Sequence, residues 1–501
     1  MSFSDYRIPG VFTRVFDATE FVVPNVTTIL GMAGLASKGP FNVATEILNI
    51  SDYARIFGPP DGNNLQSYYA AEAFFAHGNT LRFVRVGDGS QAKALLALAV
   101  SGGGSSPSIR AVSEGTWGHD LDVYVTTGSS GGATVRIEIR YFGASVEIYD
   151  NLSNGSDGAA LIAAINGVSQ YVEAVAGTAG GTIDDPQNGT LAGGDNGDTA
   201  PTASNFIGTT VNNTRTGLNI FRNRREYPLD IVICPDAYAE ITVMDYLLDL
   251  AYERGDCFAI TDSPDALDAS GIVSWIGTLS GAGTDEDKTF GALYWPWVEM
   301  DSAQQINPVW TPTSGHIAGA YAYNDRVRWP WFAPAGPRRG ILPTAIRTRM
   351  PLSDAEIEQV YADSQVNTLI HRNGVMINGK KTLYTNTTAR MWVEVRRTLL
   401  TLRGFTERGA RRVQFDPNDD HTFRELERNL QPVADFIKSE RGARDLQFEC
   451  SAALNPAAEK RQHRVHGRYY YKPTVAAETI IIDLLLTAEG LAFSERAVET
   501  V

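Results

Sequence analysis

LDIVICPDAYAEITVMDYLLDLAYERGDCFAIT, residues 229–261, places an amphipathic stretch between two apolar runs. Leu229–Cys234 reads as a strand, Ala239–Glu253 as a helix and Cys257–Thr261 as a second strand. The same alternation continues on both sides. Upstream, VTTILGMA (Val26–Ala33) reads as a buried strand. Ser51–Phe57 is expected to be a short helix with Ser51 as its N-cap and Gly58 past its end. Leu65–His77 is a second helix closed by Gly78, and LRFVRV (Leu81–Val86) is a strand. Downstream, Asp265–Leu279 and Ser314–Val327 read as helices and Phe290–Trp297 as a strand. Strands alternating with helices predict an α/β layer.

Two parts of the chain depart from that pattern. Residues 91–204 are broken by glycine-rich spacers and carry short strands, the clearest being Val135–Tyr141, where apolar and charged residues alternate. From about residue 356, long amphipathic helices precede strands. Trp392, Val395, Leu399 and Leu402 share one helical face. Phe423, Leu426 and Leu430 share another, extended by Val433 and Ile437, with Pro432 predicting a kink or two short helices. Strands are expected at Leu446–Ser451, His466–Tyr471 and Thr479–Leu486. The fold class expected is multidomain α+β. An α/β middle domain (26–90 and 205–355) carries a β-rich insertion (91–204), and a C-terminal α+β domain (356–501) follows. Extended arms at both ends (1–25 and the last strand) complete the layout.

A chain of 501 residues exceeds what one core usually serves, so two or more domains are expected. Its net charge of −15 is unsuited to wrapping nucleic acid. Cys234, Cys257 and Cys450 lie far apart, which argues against a zinc site or a disulfide framework. No apolar run reaches membrane-spanning length, and the opening MSFSDYRIPG lacks a secretory pattern. A soluble chain made in a cytoplasm is the expectation.

Several separated segments, in order, carry a family resemblance. They begin with Pro9-Gly10-Val11-Phe12, Val26-Thr27-Thr28 through Lys38-Gly39-Pro40, and Ser51-Asp52-Tyr53 through Phe57-Gly58. Phe74–Gly78, the strand Leu81–Val86, and Gly115-Thr116-Trp117-Gly118 follow. The second half adds Tyr294-Trp295-Pro296-Trp297, Ser314–Gly319, Val366-Asn367, Gly379 with Thr382-Leu383, Phe415-Asp416-Pro417-Asn418 and Lys472-Pro473. In these the chain resembles the contractile tail sheath proteins of bacteriophages and phage-derived bacteriocins. His119, where the family commonly has Asn, and Pro432 are departures.

The resemblance implies a non-enzymatic structural subunit of a virion tail, assembled in the host cytoplasm. Such a subunit forms a helical sleeve with copies of itself around an inner tail tube protein. It meets baseplate and tail terminator proteins, needs no cofactor, and neither binds nucleic acid nor inserts in a membrane. Contraction of the sleeve drives the tube through the host envelope. Arms that pair with neighbours as added strands are expected at Pro9, Gly10, Val11 and Phe12 and at Ile480, Ile481 and Ile482. Ordinary strands within one domain are the alternative reading of both segments.

The arginines between Arg390 and Arg412 are crowded for so acidic a chain, and Arg396 and Arg403 lie seven residues apart on one predicted helical face. Arg396, Arg397 and Arg403 are therefore candidates to face an acidic tube. Arg424 and Arg428 on the following helix are rivals for that contact, and a solvated face with internal salt bridges is the alternative. The aromatic cluster from Tyr294 to Phe332 fits either core packing or a carbohydrate platform. No GxxxxGK[ST] or HExxH pattern occurs; Gly128-Ser129-Ser130-Gly131-Gly132 has the letters of GxSxG but falls in a glycine-rich spacer between short strands and is not read as a nucleophile elbow, and His316 would be the candidate base of a hydrolase.

Overall fold

The computed structural model describes residues 28–478 except 61–65, 280–284, 303, 305 and 306. The expected arm residues Pro9, Gly10, Val11, Phe12, Ile480, Ile481 and Ile482 lie outside the described residues. Helices and strands are mixed, and the strands form several sheets.

The largest sheet has eight strands: β1 (Ile29–Gly34), β2 (Thr45–Ile47), β3 (Thr80–Arg85), β4 (Ile231–Ile233), β5 (Phe258–Thr261), β6 (Gly291–Trp295), β7 (Asn367–His371) and β8 (Val375–Asn378). Their spatial order is β2-β3-β1-β4-β5-β6-β7-β8. From β3 to β7 all neighbours are parallel, while β2 and β8 pair antiparallel at the two edges. A parallel sheet must be covered on both faces, which is why its strands read as unbroken apolar runs. Leu30, Met32, Ile231, Ile233, Phe258, Ile260 and Tyr294 enter one core. The alternate residues Ala33, Val232, Ala259, Leu293 and Trp295 enter the other. Helices α1 (Ile50–Phe57), α2 (Gln66–Phe75) and α5 (Ser314–Val327) cover the first face, and α3 (Ile241–Arg254) and α4 (Ala269–Ile276) the second.

The start of α1 corrects the sequence reading. Its N-cap is Asn49, whose side-chain oxygen accepts from the Asp52 amide at 2.9 Å; Ser51 lies inside the helix. Asn caps as well as Ser, and the earlier start lengthens the helix. Gly58 ends it at φ 87°, as expected.

Between β3 and β4 the chain builds smaller antiparallel sheets. In the four-stranded one, Gln187–Thr190, Leu121–Thr127, Thr134–Tyr141 and Ala144–Ser153 lie side by side. Val123, Val125, Val135, Ile137 and Ile139 fill a separate core beneath it. Arg85 at the end of β3 joins this part to the large sheet. Its buried guanidinium donates to the carbonyls of Gly39, Glu114 and Asn196 at 2.9, 2.9 and 3.2 Å and lies against the Phe41 ring.

After β8 come α6 (Val393–Ala410), α7 (Asp420–Ser439) and a hairpin of Ala443–Glu449 with Arg468–Pro473. Helix α7 runs through Pro432 as one element rather than as two short helices. Phe423, Leu426 and Leu430 before the proline and Val433, Ala434 and Ile437 after it are all buried. A face of that size outweighs the roughly 3 kcal/mol that an interior proline costs.

Helices α2 and α5 cross so closely that a Cβ on Gly315 would lie 2.4 Å from Ala70 Cα, a backbone atom that cannot step aside. Gly315→Val is expected to cost about 3 kcal/mol by overpacking. The check is a lower urea midpoint with an unchanged m-value.

Candidate functional site

A twisted parallel sheet usually binds its ligand beyond the carboxyl ends of the strands, where the order of connections reverses. Here that point lies between β1 and β4, and the chain's own side chains fill it. Asp236, just after β4, accepts from the Leu35 amide at 2.7 Å, and from the Ser67 amide and hydroxyl at 3.2 and 2.5 Å. Ser67 lies in the first turn of α2, so an internal carboxylate takes the place an anionic ligand would hold at a helix N-terminus. One strand over, Asp262 accepts from the Ser314 amide at 2.8 Å and the Thr313 hydroxyl at 3.3 Å, at the start of α5. The space left beside Asp262 is ≈ 10 Å³, room for about one water at most.

His316 is buried within α5, its ring nitrogens 3.0 Å from the Thr311 hydroxyl and 2.8 Å from that of Thr344. Burial lowers its pKa to about 4, so it is neutral and engaged at physiological pH. The aromatic segment is also mostly interior: Tyr294, Trp295, Trp297, Tyr321 and Trp331 are buried. All three cysteines are free and buried, and burial pushes the thiols of Cys257 and Cys450 up to about 12 and about 11.

The arginine stretch divides along α6. Arg396 and Arg397, expected to face outward, are inside, and this corrects their assignment to an exposed tube-facing patch. Arg397 Nη2 donates to Asp325 Oδ2 at 2.5 Å, with side chains 5% and 2% exposed, and the guanidinium lies 4.3 Å from the Tyr321 ring centroid. Burial works to discharge Arg397, and the Asp325 carboxylate outweighs it, holding the group above its ordinary pKa. Thr28 donates to the same Asp325 oxygen at 3.0 Å. Arg396 bonds the Thr289 hydroxyl and stacks on Phe290; burial, with Arg390 nearby, lowers its pKa to about 10. The first half of α6 is thus covered by α5 and the turn before β6, which no helical periodicity reveals.

The later arginines are outside. Arg403, 45% exposed, donates to Glu407 Oε1 at 3.0 Å, and Arg224 meets the same oxygen at 3.0 Å. Arg424 is exposed, and Arg428, 71% exposed, lies 3.4 Å from Glu425. Between α6 and α7, a cleft of ≈ 1620 Å³ is lined by residues including Arg224, Arg225, Arg411, Glu407 and Phe415. Phe415 stands at φ 77° and is 95% exposed.

The sequence reading missed the buried pair of Lys380 Nζ and Glu394 Oε1, 2.6 Å apart. Two adjacent lysines, 380 and 381, in a short loop carry no signal that one of them is interior.

No family profile matches the chain. By sequence it is 23% identical over 302 residues to the tail sheath protein of Vibrio phage KVP40, covering 56% of this chain and 45% of that protein. It is 22% identical over 271 residues to the tail sheath protein of Enterobacteria phage T4, covering 51% and 40%. The match thus spans less than half the length of these relatives. By structure it resembles a sheath tail protein from Listeria innocua (TM-score 0.61, 11% identity, 91% of this chain and 97% of that one). A sheath tail protein from Desulfitobacterium hafniense gives TM-score 0.59 at 12% identity, with coverages of 88% and 93%. The contracted sheath of an extracellular contractile injection system gives 0.55 at 14% identity, with coverages of 96% and 98%.

Two outcomes follow from the buried charges. Arg397→Met strands Asp325 without its cation and is expected to cost about 3–5 kcal/mol. Arg403→Met, at an exposed pair, is expected to cost under about 1 kcal/mol. Urea unfolding of both variants checks the contrast.

Asp262 supplies the second. Burial raises its carboxyl to about 6, against roughly 3.9 in an unfolded chain. The folded state therefore holds this proton more tightly, and its contribution to stability is lost as pH rises from about 4 through 6. Asp262→Asn keeps an oxygen for the Ser314 amide and cannot ionise. At pH 8 the variant is expected to be more stable than the parent by up to about 2–3 kcal/mol, and the gap closes toward pH 4. Paired urea curves at the two pH values measure it.

Proposed function

From a chain related in sequence to phage tail sheath proteins and sharing their fold, we propose a structural subunit of a contractile tail sheath. It polymerises helically with its own copies around an inner tail tube and contracts to drive the tube through a host envelope. Its seat is the virion tail, assembled in the host cytoplasm, with baseplate and tail terminator proteins at the two ends. The observation that carries this reading is the match over 302 residues to a protein named as a tail sheath. The filled crevice supports a structural role over a hydrolase, since the usual ligand position is taken by Asp236 and its partners. The resemblance to an injection-system sheath favours a second reading, a non-phage contractile device, which capsid genes beside this one would rule out.

The proposed division is an α/β unit of 26–90 and 205–355, an inserted β unit of 91–204 and a C-terminal unit of 356–501. The N-terminal segment 1–25 and the last strand serve as arms that join neighbouring subunits. The tube contact falls to the exposed arginines, Arg424 and Arg428 foremost and Arg403 beside them. Exposed ion pairs are each worth about 0–1 kcal/mol, enough in sum to hold a tube and weak enough singly to release it.

Electron microscopy of the purified protein, alone and with tube, tests the reading. Hollow sleeves are expected, and monomers under all conditions would overturn it. Arg424→Glu with Arg428→Glu should leave the melting temperature within a few degrees of the parent yet reduce extended sleeves on tube. Salt should reproduce that loss in the parent by screening. Unchanged sleeves in the double variant would place the tube contact elsewhere.

A further inference from the structure

Lys380 is 3% exposed and Glu394, its partner at the start of α6, 1%. Burial pushes Glu394 toward protonation, and Lys380 opposes this most strongly. The ammonium has a second bond. It donates to the main-chain carbonyl of Ala476 at 3.0 Å, while lying 4.3 Å from the Trp392 ring centroid. The Ala476 amide also favours the charged form of Glu394. Ala476 itself is exposed and belongs to no strand, since the hairpin ends at Pro473. A buried charge pair therefore grips the main chain of an exposed, unladdered residue.

A second hold lies two residues on. The Tyr361 hydroxyl donates to Glu478, and Tyr361 is fixed by Lys381, whose ammonium donates to its carbonyl at 2.8 Å and sits 4.2 Å from its ring centroid. Residues 476 and 478 are thus held by side chains of residues 361, 380 and 394. A buried ion pair that only stabilised could be replaced by apolar side chains of similar volume. The bond to Ala476 is what such a replacement would lose.

We propose that the Lys380–Glu394 pair is a clamp on the main chain at Ala476. It anchors the root of the segment 479–501 to its own subunit, so that a pull on that segment by a second copy of this chain is delivered to α6. The mechanical half of this rests on the sheath reading; the clamp itself does not.

The test uses the full chain. Lys380→Met alone would strand Glu394, so the informative variant is Lys380→Met with Glu394→Leu, which keeps the site filled; Tyr361→Phe removes the second hold. In the isolated subunit, hydrogen–deuterium exchange of the peptide covering 473–478 should quicken about tenfold in the double variant, with α6 peptides unchanged. Unchanged exchange at 473–478 in the folded double variant overturns the clamp. In sleeves, the double variant should shed subunits at a guanidinium concentration well below its own unfolding midpoint. Sleeves as durable as the parent's, despite faster exchange, overturn the mechanical half. If the parent forms no sleeves the sheath reading fails, and the exchange measurement still decides the clamp.

Discussion

The pairing of Arg397 with Asp325 holds the C-terminal helices to the large sheet. A guanidinium and a carboxylate both removed from water are tolerated when each neutralises the other. Here Arg397 comes from α6 and Asp325 from α5, while Thr28, at the entry to β1, shares the Asp325 oxygen. Three elements distant in sequence are fixed by one oxygen atom. Glu394 lies three residues before Arg397, on the same side of α6, and its pair with Lys380 adds a second buried link toward β8. The two pairs tie the first half of α6 to α5 and to the loop after β8.

The large sheet is a scaffold found with many activities, so its presence alone says little about function. More informative is what occupies the place where such sheets hold ligands. Asp236 supplies the negative charge that the start of α2 favours, and Asp262 does the same at α5. Both carboxyls are engaged in internal contacts made where an enzyme would leave room. With that crevice closed, the features free to act are on the surface: the arginines of α7, the exposed loop at Phe415 and the segment held at Ala476.

What could be read from the sequence followed from periodicity. The β4–α3–β5 unit was legible because a strand buried on both faces and a helix buried on one leave different apolar patterns, and both are unbroken there. The alternation of Val135, Ile137 and Ile139 was legible for the same reason. The charged positions were not. Arg396 and Arg403 do lie on one α6, yet one is interior and the other exposed, because Thr289 and Phe290, more than a hundred residues earlier in the chain, fold over the first half of the helix. A periodic pattern identifies neighbours along a helix and is silent about what packs on them. Pro432 shows the converse limit: a local rule against proline yields where enough apolar surface is buried on either side. The start of α1 moved to Asn49 because Asn and Ser cap equally well, and the sequence offers both.

The contrast between the interior and exposed charges bears on how such a subunit could work. A sleeve that changes length must let its subunits slide past the tube while each remains whole. Breaking a buried pair by removing one partner costs about 3–5 kcal/mol, whereas an exposed pair contributes about 0–1. Arg397–Asp325 and Lys380–Glu394 are of the first kind, and Arg428–Glu425 and Arg403–Glu407 of the second. The order of these energies means that a force large enough to rearrange surface contacts leaves the internal ones in place. The buried pairs join α6 to α5 and to the loop after β8, while Arg403–Glu407 and Arg428–Glu425 each lie within one helix.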